Sequence, residues 1–431
     1  MVYFLIIIGL LFFFLAFGTP IFAALGLSTV VTMAWAGDSS SFLSIVQKMF
    51  SSIDSFSLLA LPLFVLSGSL MEYSGISERL VKFMRMCFKR LPAASACIDT
   101  ISCTFFGALS GSAPATSAAI GSVMIKPMKE KGYSSAQAAA VNAVSSSLGI
   151  IIPPSIPMVV LATTASISVG ALFIAGIIPG LIICFAFCVM NIVRYKNVEA
   201  PDTEKMPKKE IIKISVDAIA ALIMPLIILG GIYGGVFTPT EAAAVACVYA
   251  WVVGAFLYRN LSLKIFAKCL ADTAVSVGAM LIIVCSAAGM AWWISSSGIG
   301  NAISTTILTA VKSKFIVLLI INLFLFILGC LIDPTSIILL TSSIIFTITN
   351  AYGINPIAVG CFMIVNIALG MVTPPLAGTL YVSNQIAGEK TIGPMVKELI
   401  PYIILFFLLV LLFTYVPTIS TFLPELLGLI K

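Results

Sequence analysis

Two short stretches of the sequence place oxygen-bearing side chains beside a proline inside long apolar segments. One stretch is Ser110 to Thr116, and the other contains Asp333, Pro334, Thr335 and Ser336. Side-chain and main-chain oxygens are the ligands that hard cations prefer. An ionisable side chain in an apolar membrane segment is energetically costly and marks a functional site by default. Asp333 is therefore the sharpest candidate for a cation or substrate role, and the alternative is that it caps a helix beginning at Pro334.

A repeated proline motif identifies a second pair of candidate sites. The sequence Leu-Gly-x-x-x-Pro-Pro occurs at residues 148–154 and again at residues 369–375. Because proline lacks a main-chain N–H and fixes φ, no regular helix can run through either site. Within a membrane, the main-chain groups freed by such a break must be buried in protein or line a polar cavity. Broken helices are therefore the best sequence indication of a transporter's binding site.

These interruptions carry small oxygen-bearing side chains and no basic ones. The side chains available are Ser110, Ser112, Thr116, Ser155, Asp333, Thr335, Ser336 and Thr373. Exposed helix N-termini suit a carboxylate, and unwound carbonyl groups suit a cation such as Na⁺. Since neither Lys nor Arg is present to neutralise an anion, the pattern predicts cation-coupled uptake of an anion.

Each candidate also has a structural alternative. Serine and threonine hydroxyls in membrane helices often bond back to their own helix or join two helices. Asn142 and Asn366 precede the two breaks. For both asparagines, holding freed carbonyl groups together is the alternative to contacting a ligand.

The composition is that of a membrane protein in a lipid bilayer. Of the 431 residues, 60% are hydrophobic and only 9% are charged, against roughly 25% charged residues in a soluble domain. The mean hydropathy is +1.17. The net charge of +6 comes from basic residues between apolar segments, which indicates membrane topology and not a nucleic-acid partner.

The residue types also limit the possible chemistry. The absence of histidine excludes Ser-His-Asp triads, histidine proton relays and histidine-ligated metals. An intramembrane enzyme is disfavoured, because the apolar segments hold no paired carboxylates and no Ser-Lys pair. No organic cofactor and no metal other than Na⁺ is predicted.

The chain is predicted to be an internal duplication. Five landmarks recur in the same order and at nearly constant offset; for example, Pro114 corresponds to Pro334 and Pro153 to Pro374. The predicted first repeat, 1–196, contains scaffold helices (1–76), a surface arm helix (77–90), a re-entrant hairpin (91–129), a broken helix (134–165) and a membrane helix (170–195). A cytoplasmic linker (197–213) precedes the second repeat, 214–431, which contains scaffold helices (214–297), an arm (298–314), a hairpin (315–350), a broken helix (355–386) and a last helix (392–417).

Each repeat is predicted to cross the membrane five times, because a hairpin returns to its own side. An odd number of crossings inverts the second repeat relative to the first. With both termini outside, all but four of the 23 Lys and Arg residues lie on the cytoplasmic side, in agreement with the positive-inside rule; the exceptions are Lys48, Lys312, Lys314 and Lys431. The predicted fold class is an all-α polytopic membrane protein with an inverted repeat, two re-entrant helical hairpins and two broken helices.

Two further features are interpreted as structural, and a third is assigned no role. The stretch 238–241, Thr-Pro-Thr-Glu, has the spacing of a capping box, so Glu241 is predicted to cap a helix. Trp292 and Trp293 are predicted to anchor a span at the membrane interface. Two aspartates at or in apolar spans have no evident partner and are assigned no role, Asp99 and Asp272.

Five motifs in order resemble the large membrane subunit of tripartite ATP-independent periplasmic (TRAP) transporters, the DctM-like family. They are FGALSGS at 106–112, GIIIPPSIP at 149–157, GALFxAGIxPG at 170–180, GxFTPTEA at 235–242 and NxxxGxxTPP at 366–375. The resemblance covers essentially the whole chain. It implies an elevator-type secondary transporter, in which hairpins and broken helices move against a scaffold, with Na⁺ sites where each hairpin tip meets a broken helix.

The resemblance completes the set of candidate site residues. Those assigned to Na⁺ binding are Ser110, Gly111, Ser112, Pro114, Thr116, Gly149, Pro153, Asp333, Thr335, Ser336, Gly370, Thr373, Pro374 and Gly378. Those assigned to substrate binding are Ser112, Asn142, Ser155, Thr335, Asn366 and Thr373.

The resemblance also implies partners, a substrate class and a location. The substrate would be an organic acid anion, a dicarboxylate or a sugar acid such as sialic acid, delivered by a periplasmic substrate-binding protein. A small transmembrane subunit is expected as a separate polypeptide, because the chain starts directly at the large-subunit repeat. The location would be the bacterial inner (cytoplasmic) membrane, with both termini periplasmic. No ATP hydrolysis is expected, since no G-x-x-x-x-G-K-[ST] motif occurs. The alternative is a stand-alone Na⁺/dicarboxylate elevator carrier that needs no binding protein.

Overall fold

The computed structural model describes residues 2–204, 206–375 and 377–430, and every regular element within these ranges is helical. The helices before the linker are α1 (Val2–Ala16), α2 (Ile21–Ala36), α3 (Phe42–Ile53), α4 (Ala60–Ser74), α5 (Ile76–Phe88), α6 (Ala94–Ser110), α7 (Ala113–Glu130), α8 (Ser135–Ser146), α9 (Ile156–Ala165) and α10 (Val169–Tyr195). Those after it are α11 (Lys208–Tyr233), α12 (Pro239–Val252), α13 (Leu263–Ser296), α14 (Ile299–Ala310), α15 (Lys314–Gly329), α16 (Pro334–Ala351), α17 (Pro356–Gly370), α18 (Gly378–Ala387), α19 (Gly393–Tyr415) and α20 (Thr418–Leu426). The prediction of an all-α fold is confirmed.

Each predicted hairpin is a pair of helices joined by a very short tip. Only Gly111 and Ser112 separate α6 from α7. Gly111 has a φ of +62°, which favours glycine and ends α6. In the second hairpin, residues 330–333 separate α15 from α16, and Asp333 is the N-cap of α16. A proline in the first turn of α7 and of α16 favours helix initiation there, because its missing N–H is not needed at that position.

Both apolar segments with a proline pair are broken helices. A short 3₁₀ turn, Ser147–Ile150, follows α8, and α9 begins only at Ile156. α17 ends at Gly370 and α18 begins at Gly378. The Pro153–Pro154 and Pro374–Pro375 peptide bonds are both cis.

Side-chain hydroxyls bridge both breaks. Ser155 Oγ donates a hydrogen bond to the main-chain oxygen of Ile150 at 2.6 Å. Thr379 Oγ1 donates to the main-chain oxygen of Met371 at 2.8 Å. Each bond satisfies a carbonyl group that the break removes from the helical ladder.

The helices sort into two groups by packing. In the scaffold group, α1–α4 and α11–α13, the main contacts are α2 and α3 with α13 and α4 with α12. In the hairpin group, α6–α10 and α15–α20, segments from the two repeats pack on each other: α7 and α8 against α18, and α9 against α16. The two arms join the groups, because α5 contacts both α11 and α6 and α14 contacts both α13 and α16.

Six helices in the described part of the chain have the length and apolar composition needed to cross a membrane. They are Val169–Tyr195, Lys208–Tyr233, Pro239–Leu257, Leu263–Ser296, Pro334–Ala351 and Gly393–Tyr415. Pro334–Ala351 is one arm of a hairpin, so its length alone does not make it a crossing. The remaining apolar helices have 10–17 residues, shorter than the roughly 20 residues that one span requires. The chain is a multi-pass membrane protein.

The structure differs from the sequence prediction in three places. It contains two helices that were not predicted, the amphipathic α3 and the terminal α20. α11 begins at Lys208, so the last six residues of the predicted linker are helical. Trp293 is 1% exposed and its Nε1 donates to Asp38 Oδ2 at 3.1 Å; the prediction that it anchors a span at the interface is wrong, because its N–H is bound inside the protein. The capping box of Thr238 and Glu241 is confirmed.

Candidate transport site

One cavity of about 830 Å³ lies where both hairpin tips, both breaks and part of the scaffold group meet. Its wall includes residues before and after each break. In chain order the lining residues are Phe12, Leu15, Ala16, Ile21, Gly111, Ser112, Ala113, Pro114, Ile150, Ile156, Pro157, Met280, Gly329, Leu331, Ile332, Asp333, Pro334, Thr335, Met371 and Gly378. The four interrupted segments singled out by the sequence therefore surround a single cavity.

The cavity separates the predicted site residues into two sets. Those in its wall are Gly111, Ser112, Pro114, Asp333, Thr335 and Gly378. Those outside the lining are Ser110, Thr116, Asn142, Gly149, Pro153, Ser155, Ser336, Asn366, Gly370, Thr373 and Pro374. In this arrangement only the first set can touch a molecule within the cavity.

Four helices begin at the cavity. The first residues of α7, α9, α16 and α18 all line it, and they are Ala113, Ile156, Pro334 and Gly378. A helix N-terminus carries a partial positive charge of roughly half an elementary charge and exposes free N–H groups. The cavity wall is therefore favourable for an anion although its described lining contains no basic side chain.

Three of these four helix starts are capped by a side chain from the cavity region. Ser112 Oγ accepts a hydrogen bond from Ala115 N at 3.5 Å. Ser155 Oγ accepts from Met158 N at 3.3 Å. α18 has no side-chain cap, because its N-cap residue is Ala377. Among these four described helix starts, α18 is thus the one whose first N–H groups have no side-chain acceptor.

Asp333 caps the fourth helix and also faces the cavity. Its Oδ1 accepts a hydrogen bond from Ser336 N at 3.1 Å, and its Oδ2 accepts a short hydrogen bond from Ser336 Oγ. The capping role that the sequence left as an alternative is therefore observed. The side chain is nevertheless exposed to the cavity and is the only charged group of the described lining. This carboxylate can therefore cap α16 and also contact a ligand in the cavity.

In the first repeat, a compact group of oxygen atoms lies where the hairpin tip meets the break. Ser110 Oγ and Thr116 Oγ1 are 2.9 Å apart, and Thr116 Oγ1 donates to the main-chain oxygen of Ser112 at 2.8 Å. A Cβ atom at Gly149 would lie 2.6 Å from Thr116 Oγ1 and 2.9 Å from that same Ser112 oxygen. The absence of a side chain at Gly149 lets the break approach this oxygen group.

The corresponding place in the second repeat is less compact. Thr373 Oγ1 donates to the main-chain oxygen of Leu369 at 2.9 Å. A Cβ atom at Gly370 would lie 2.4 Å from the Cα atom of Gly329. The glycine contact between hairpin and break is thus present in both repeats, while the hydroxyl of Thr373 bonds to the last turn of α17, the helix before the break.

The two asparagines join helices and do not line the cavity. Asn142 Nδ2 donates to Asp99 Oδ1 at 3.2 Å, and its Oδ1 accepts from Ser383 Oγ at 2.8 Å. Asn366 Nδ2 donates to Asn322 Oδ1 at 2.8 Å. Neither amide reaches a carbonyl group freed by a break in these bonds. In this arrangement, neither Asn142 nor Asn366 can therefore contact a ligand in the cavity directly.

Part of the cavity wall was missed by the sequence analysis. Phe12, Leu15, Ala16 and Ile21 of α1 and α2, together with Met280 of α13, close the cavity on the scaffold side. They are ordinary apolar residues in apolar helices. Nothing in residue type or spacing distinguishes them from residues that face lipid.

An all-helical, multi-pass fold in which two hairpins and two broken helices enclose one cavity defines a membrane transporter. The chain belongs to the family of the tripartite ATP-independent periplasmic transporter, DctM component, whose family model matches residues 8–419. The resemblance carried by the five sequence motifs is thereby confirmed.

Relatives match over almost the whole chain. A C4-dicarboxylate TRAP transporter large permease protein DctM of Pseudomonas aeruginosa is 36% identical over 407 residues, which are 94% of this chain and 95% of that protein. An isethionate TRAP transporter permease protein DctMQ of Oleidesulfovibrio alaskensis is 36% identical over 419 residues, 97% of this chain and 66% of that protein. Among solved structures, the crystal structure of the Alcanivorax borkumensis YdaH transporter, described as having an unusual topology, superposes with a TM-score of 0.63 at 14% identity and covers 88% of this chain and 89% of that chain. This last similarity concerns the fold alone.

Proposed function

We propose that this chain is the large membrane subunit of a binding-protein-dependent TRAP transporter and takes up an organic acid anion by coupling its entry to Na⁺. The observation that carries the proposal is the cavity itself. Four helix N-termini line it, its only charged side chain is Asp333, and no Lys or Arg belongs to its described lining. Such a site attracts an anion but cannot neutralise it with a basic side chain, so bound cations are needed to balance the charge.

Two Na⁺ positions are proposed, one for each repeat. In the first repeat, the oxygens of Ser110, Ser112 and Thr116 meet the break at Gly149. In the second, Asp333 supplies a carboxylate and the break after Gly370 supplies carbonyl groups. Oxygen ligands of this kind suit a hard cation. A net excess of Na⁺ charge over substrate charge would add about 2.3 kcal/mol per charge and per 100 mV to accumulation.

An elevator movement is proposed on the basis of the two packing groups. The cavity is lined partly by the hairpin group and partly by α1, α2 and α13 of the scaffold group. Movement of one group against the other would therefore open the cavity without dismantling the oxygen groups, which lie entirely within the hairpin group. The arms α5 and α14 contact both groups and are placed to guide such a movement.

The partners are proposed from the family. The tripartite description of the family supports a small transmembrane subunit and a periplasmic binding protein. The proposed location is the bacterial inner membrane, and the distribution of Lys and Arg supports periplasmic termini. The substrate class is a dicarboxylate or a sugar acid such as sialic acid. Two relatives of equal identity carry names with different anions, a C4-dicarboxylate and isethionate, so similarity does not decide between substrates. The anion that co-purifies with the cognate binding protein would decide it.

The test is uptake into liposomes that contain this chain and its small subunit, with the cognate binding protein added outside. We expect accumulation of labelled substrate under an inward Na⁺ gradient and none when K⁺ replaces Na⁺. Equal uptake in the two salts would contradict Na⁺ coupling. Omitting the binding protein separates the two transporter hypotheses, because uptake of free substrate without it would favour the stand-alone carrier.

A further inference from the structure

Asp99 is a fully buried carboxyl group without a cationic partner. The side chain is 0% exposed within α6. Its Oδ1 accepts a hydrogen bond from Asn142 Nδ2 at 3.2 Å, and Cys103 Sγ lies 3.8 Å from its Oδ2. Both neighbours are neutral. In the described part of the chain the ion pairs are Lys89–Asp202 and Arg194–Glu398, and neither includes Asp99.

The elements packed around α6 bring no charge to this carboxyl group. α8 contains no charged residue and contributes Asn142 and Ser145. The titratable groups that adjoin Asp99 are thiols, Cys103 on α6 and, beyond it, Cys184 on α10. The charged residues on the other neighbours of α6 are Glu72 of α4; Glu78, Arg79, Lys82 and Arg85 of α5; Lys126, Lys129 and Glu130 of α7; Arg194 of α10; and Lys208, Lys209, Glu210, Lys213 and Asp217 of α11. None of these makes a described hydrogen bond or ion pair with Asp99.

The second repeat shows that packing does not require a carboxyl group here. The glycine contacts Gly107–Gly149 and Gly329–Gly370 correspond, so Asn322 aligns with Thr100 and Asn366 aligns with Ser145. Asn366 Nδ2 donates to Asn322 Oδ1 at 2.8 Å, and Thr100 Oγ1 lies 2.8 Å from Ser145 Oγ. The positions that align with Asp99 and Asn142 hold apolar residues, Ile321 and Met363. The same junction between a hairpin helix and a broken helix is therefore built without a carboxyl group in the second repeat.

A carboxylate in this place would be an uncompensated buried charge, which is strongly unfavourable. A bound proton removes the charge and keeps the shape of the side chain. A metal ion fits less well, because the groups that adjoin the carboxyl oxygens are an amide N–H, a thiol and one hydroxyl, that of Ser145, whereas hard cations need several oxygen ligands. We propose that Asp99 is a proton-binding site of the hairpin group and that Asn142 couples it to α18.

The coupling runs through a short chain of hydrogen bonds. Asn142 Oδ1 accepts from Ser383 Oγ of α18 at 2.8 Å and from Ser117 Oγ of α7 at 3.1 Å. α18 begins at Gly378, in the wall of the cavity. Loss of the proton would strengthen the bond from the amide of Asn142 to Asp99, and any turn of this amide would alter its bond to Ser383. The proton is thus placed to influence the cavity helix that lacks a side-chain cap.

Infrared spectroscopy of the purified chain tests proton binding directly, because a carboxylic acid has a carbonyl stretching band that a carboxylate lacks. The comparison is between the wild type and Asp99→Asn, whose neutral side chain has the size and shape of a protonated aspartate and is therefore expected to fold. The wild type should show an acid band at neutral pH that Asp99→Asn has lost. Asn322→Asp is the control, because it places a carboxyl group beside another buried amide, that of Asn366, and it should add an acid band of its own. The same acid band in wild type and Asp99→Asn would overturn the proposal, as would a carboxylate band from Asp99 at neutral pH.

Two further measurements test the coupling and its use. Ser383→Ala should shift the frequency of the Asp99 acid band, and an unshifted band would overturn the coupling through Asn142. In the liposome assay, raising the pH should slow wild-type uptake more than uptake by Asp99→Asn; an identical pH dependence would remove any role in transport. That assay rests on the proposed function, whereas the infrared bands do not, so the two failures can be told apart.

Discussion

The main chains of Gly107 on α6 and Gly149 at the first break are in direct contact, so that a Cβ atom added to Gly107 would lie 2.6 Å from the Cα atom of Gly149. The second repeat has the same relationship between Gly329 and Gly370, at 2.4 Å from a Cβ of Gly370 to the Cα atom of Gly329. Both contacts join the first helix of a hairpin to a broken helix. They bring the main chain of each break against the hairpin, and a side chain at any of these positions would separate the two.

Replacement of Gly107 by alanine should therefore destabilise the protein. The atoms in the way belong to the main chain, which cannot move aside as a flexible side chain can, and overpacking of this kind typically costs about 1–3 kcal/mol. We expect a lower unfolding temperature for Gly107→Ala in detergent. Gly230→Ala is the matched control, because Gly230 lies in α11 with nothing within 4 Å of its added Cβ atom. That control should be neutral or stabilising, since glycine inside a helix is about 0.5–1 kcal/mol worse than alanine. Equal unfolding temperatures for both variants would contradict the packing argument.

Variants of Asp333 separate its observed capping role from its proposed cation role. Asparagine caps a helix about as well as aspartate, whereas alanine loses the cap at a cost of about 0.5–2 kcal/mol. Asp333→Asn should therefore retain the wild-type unfolding temperature and lower Na⁺-dependent uptake. Asp333→Ala should lower Na⁺-dependent uptake too, with some loss of stability. Unchanged Na⁺ dependence in Asp333→Asn would leave capping as the only role.

Thr373 is predicted to contribute to the second Na⁺ position through the oxygen of its hydroxyl. Thr373→Ala should raise the Na⁺ concentration needed for half-maximal uptake while leaving expression intact, and Thr373→Ser should preserve uptake. Thr347→Ala is the control, because Thr347 Oγ1 also bonds to a main-chain oxygen four residues earlier, that of Ser343 at 2.7 Å, but lies inside α16 and not at a break. If both alanine variants need the same Na⁺ concentration for half-maximal uptake, the hydroxyl of Thr373 only bonds to the end of α17 and does not contribute to Na⁺ binding.

The sequence was sufficient to predict the interruptions of the helices, because each one depends on local chemistry. A proline pair stops a helix wherever it lies, and a proline beside Asp333 or Ser112 favours a new helix start. The convergence of the four interruptions on one cavity was inferred from the internal duplication and the predicted inversion of its second half, and the shared cavity is present in the structure.

The positions of individual side chains were not predictable in the same way. Ser112 lines the cavity while Ser110 does not. Ser110 is the last residue of α6 and its hydroxyl lies against Thr116, whereas Ser112 follows the left-handed Gly111 as the N-cap of α7. Trp293 was assigned to the interface from its type alone, although its partner Asp38 is 255 residues away in sequence. The scaffold wall, including Phe12 and Met280, has no signal in the sequence because every neighbouring residue is also apolar.

The contact between Asp38 and Trp293 makes a prediction about acid stability. Hydrogen bonds from the hydroxyl of Ser41 and the indole of Trp293 lower the pKa of Asp38 from its usual value. The stabilisation from a carboxylate with a lowered pKa is present above the usual aspartate value of about 3.9 and is lost as the pH falls through the folded value. The difference in unfolding temperature between wild type and Asp38→Asn should therefore shrink on acidification through this range. A difference that stays constant would show that the negative charge of Asp38 does not contribute to stability.

The predicted inversion of the second repeat determines which surfaces should be reached from each side of the membrane. Lys209 lies in the first turn of α11, within the predicted linker, and should be cytoplasmic, whereas Lys312, between α14 and α15, should be periplasmic. A cysteine in place of Lys312 should react with a membrane-impermeant maleimide in intact cells, and a cysteine in place of Lys209 should react only after lysis. Both variants carry Cys87→Ser, because Cys87 is the exposed native thiol of the described residues. The three predicted scaffold crossings of the second repeat lie between these two positions. Labelling of both positions in intact cells would require an even number of crossings between them. That result would exclude the inversion.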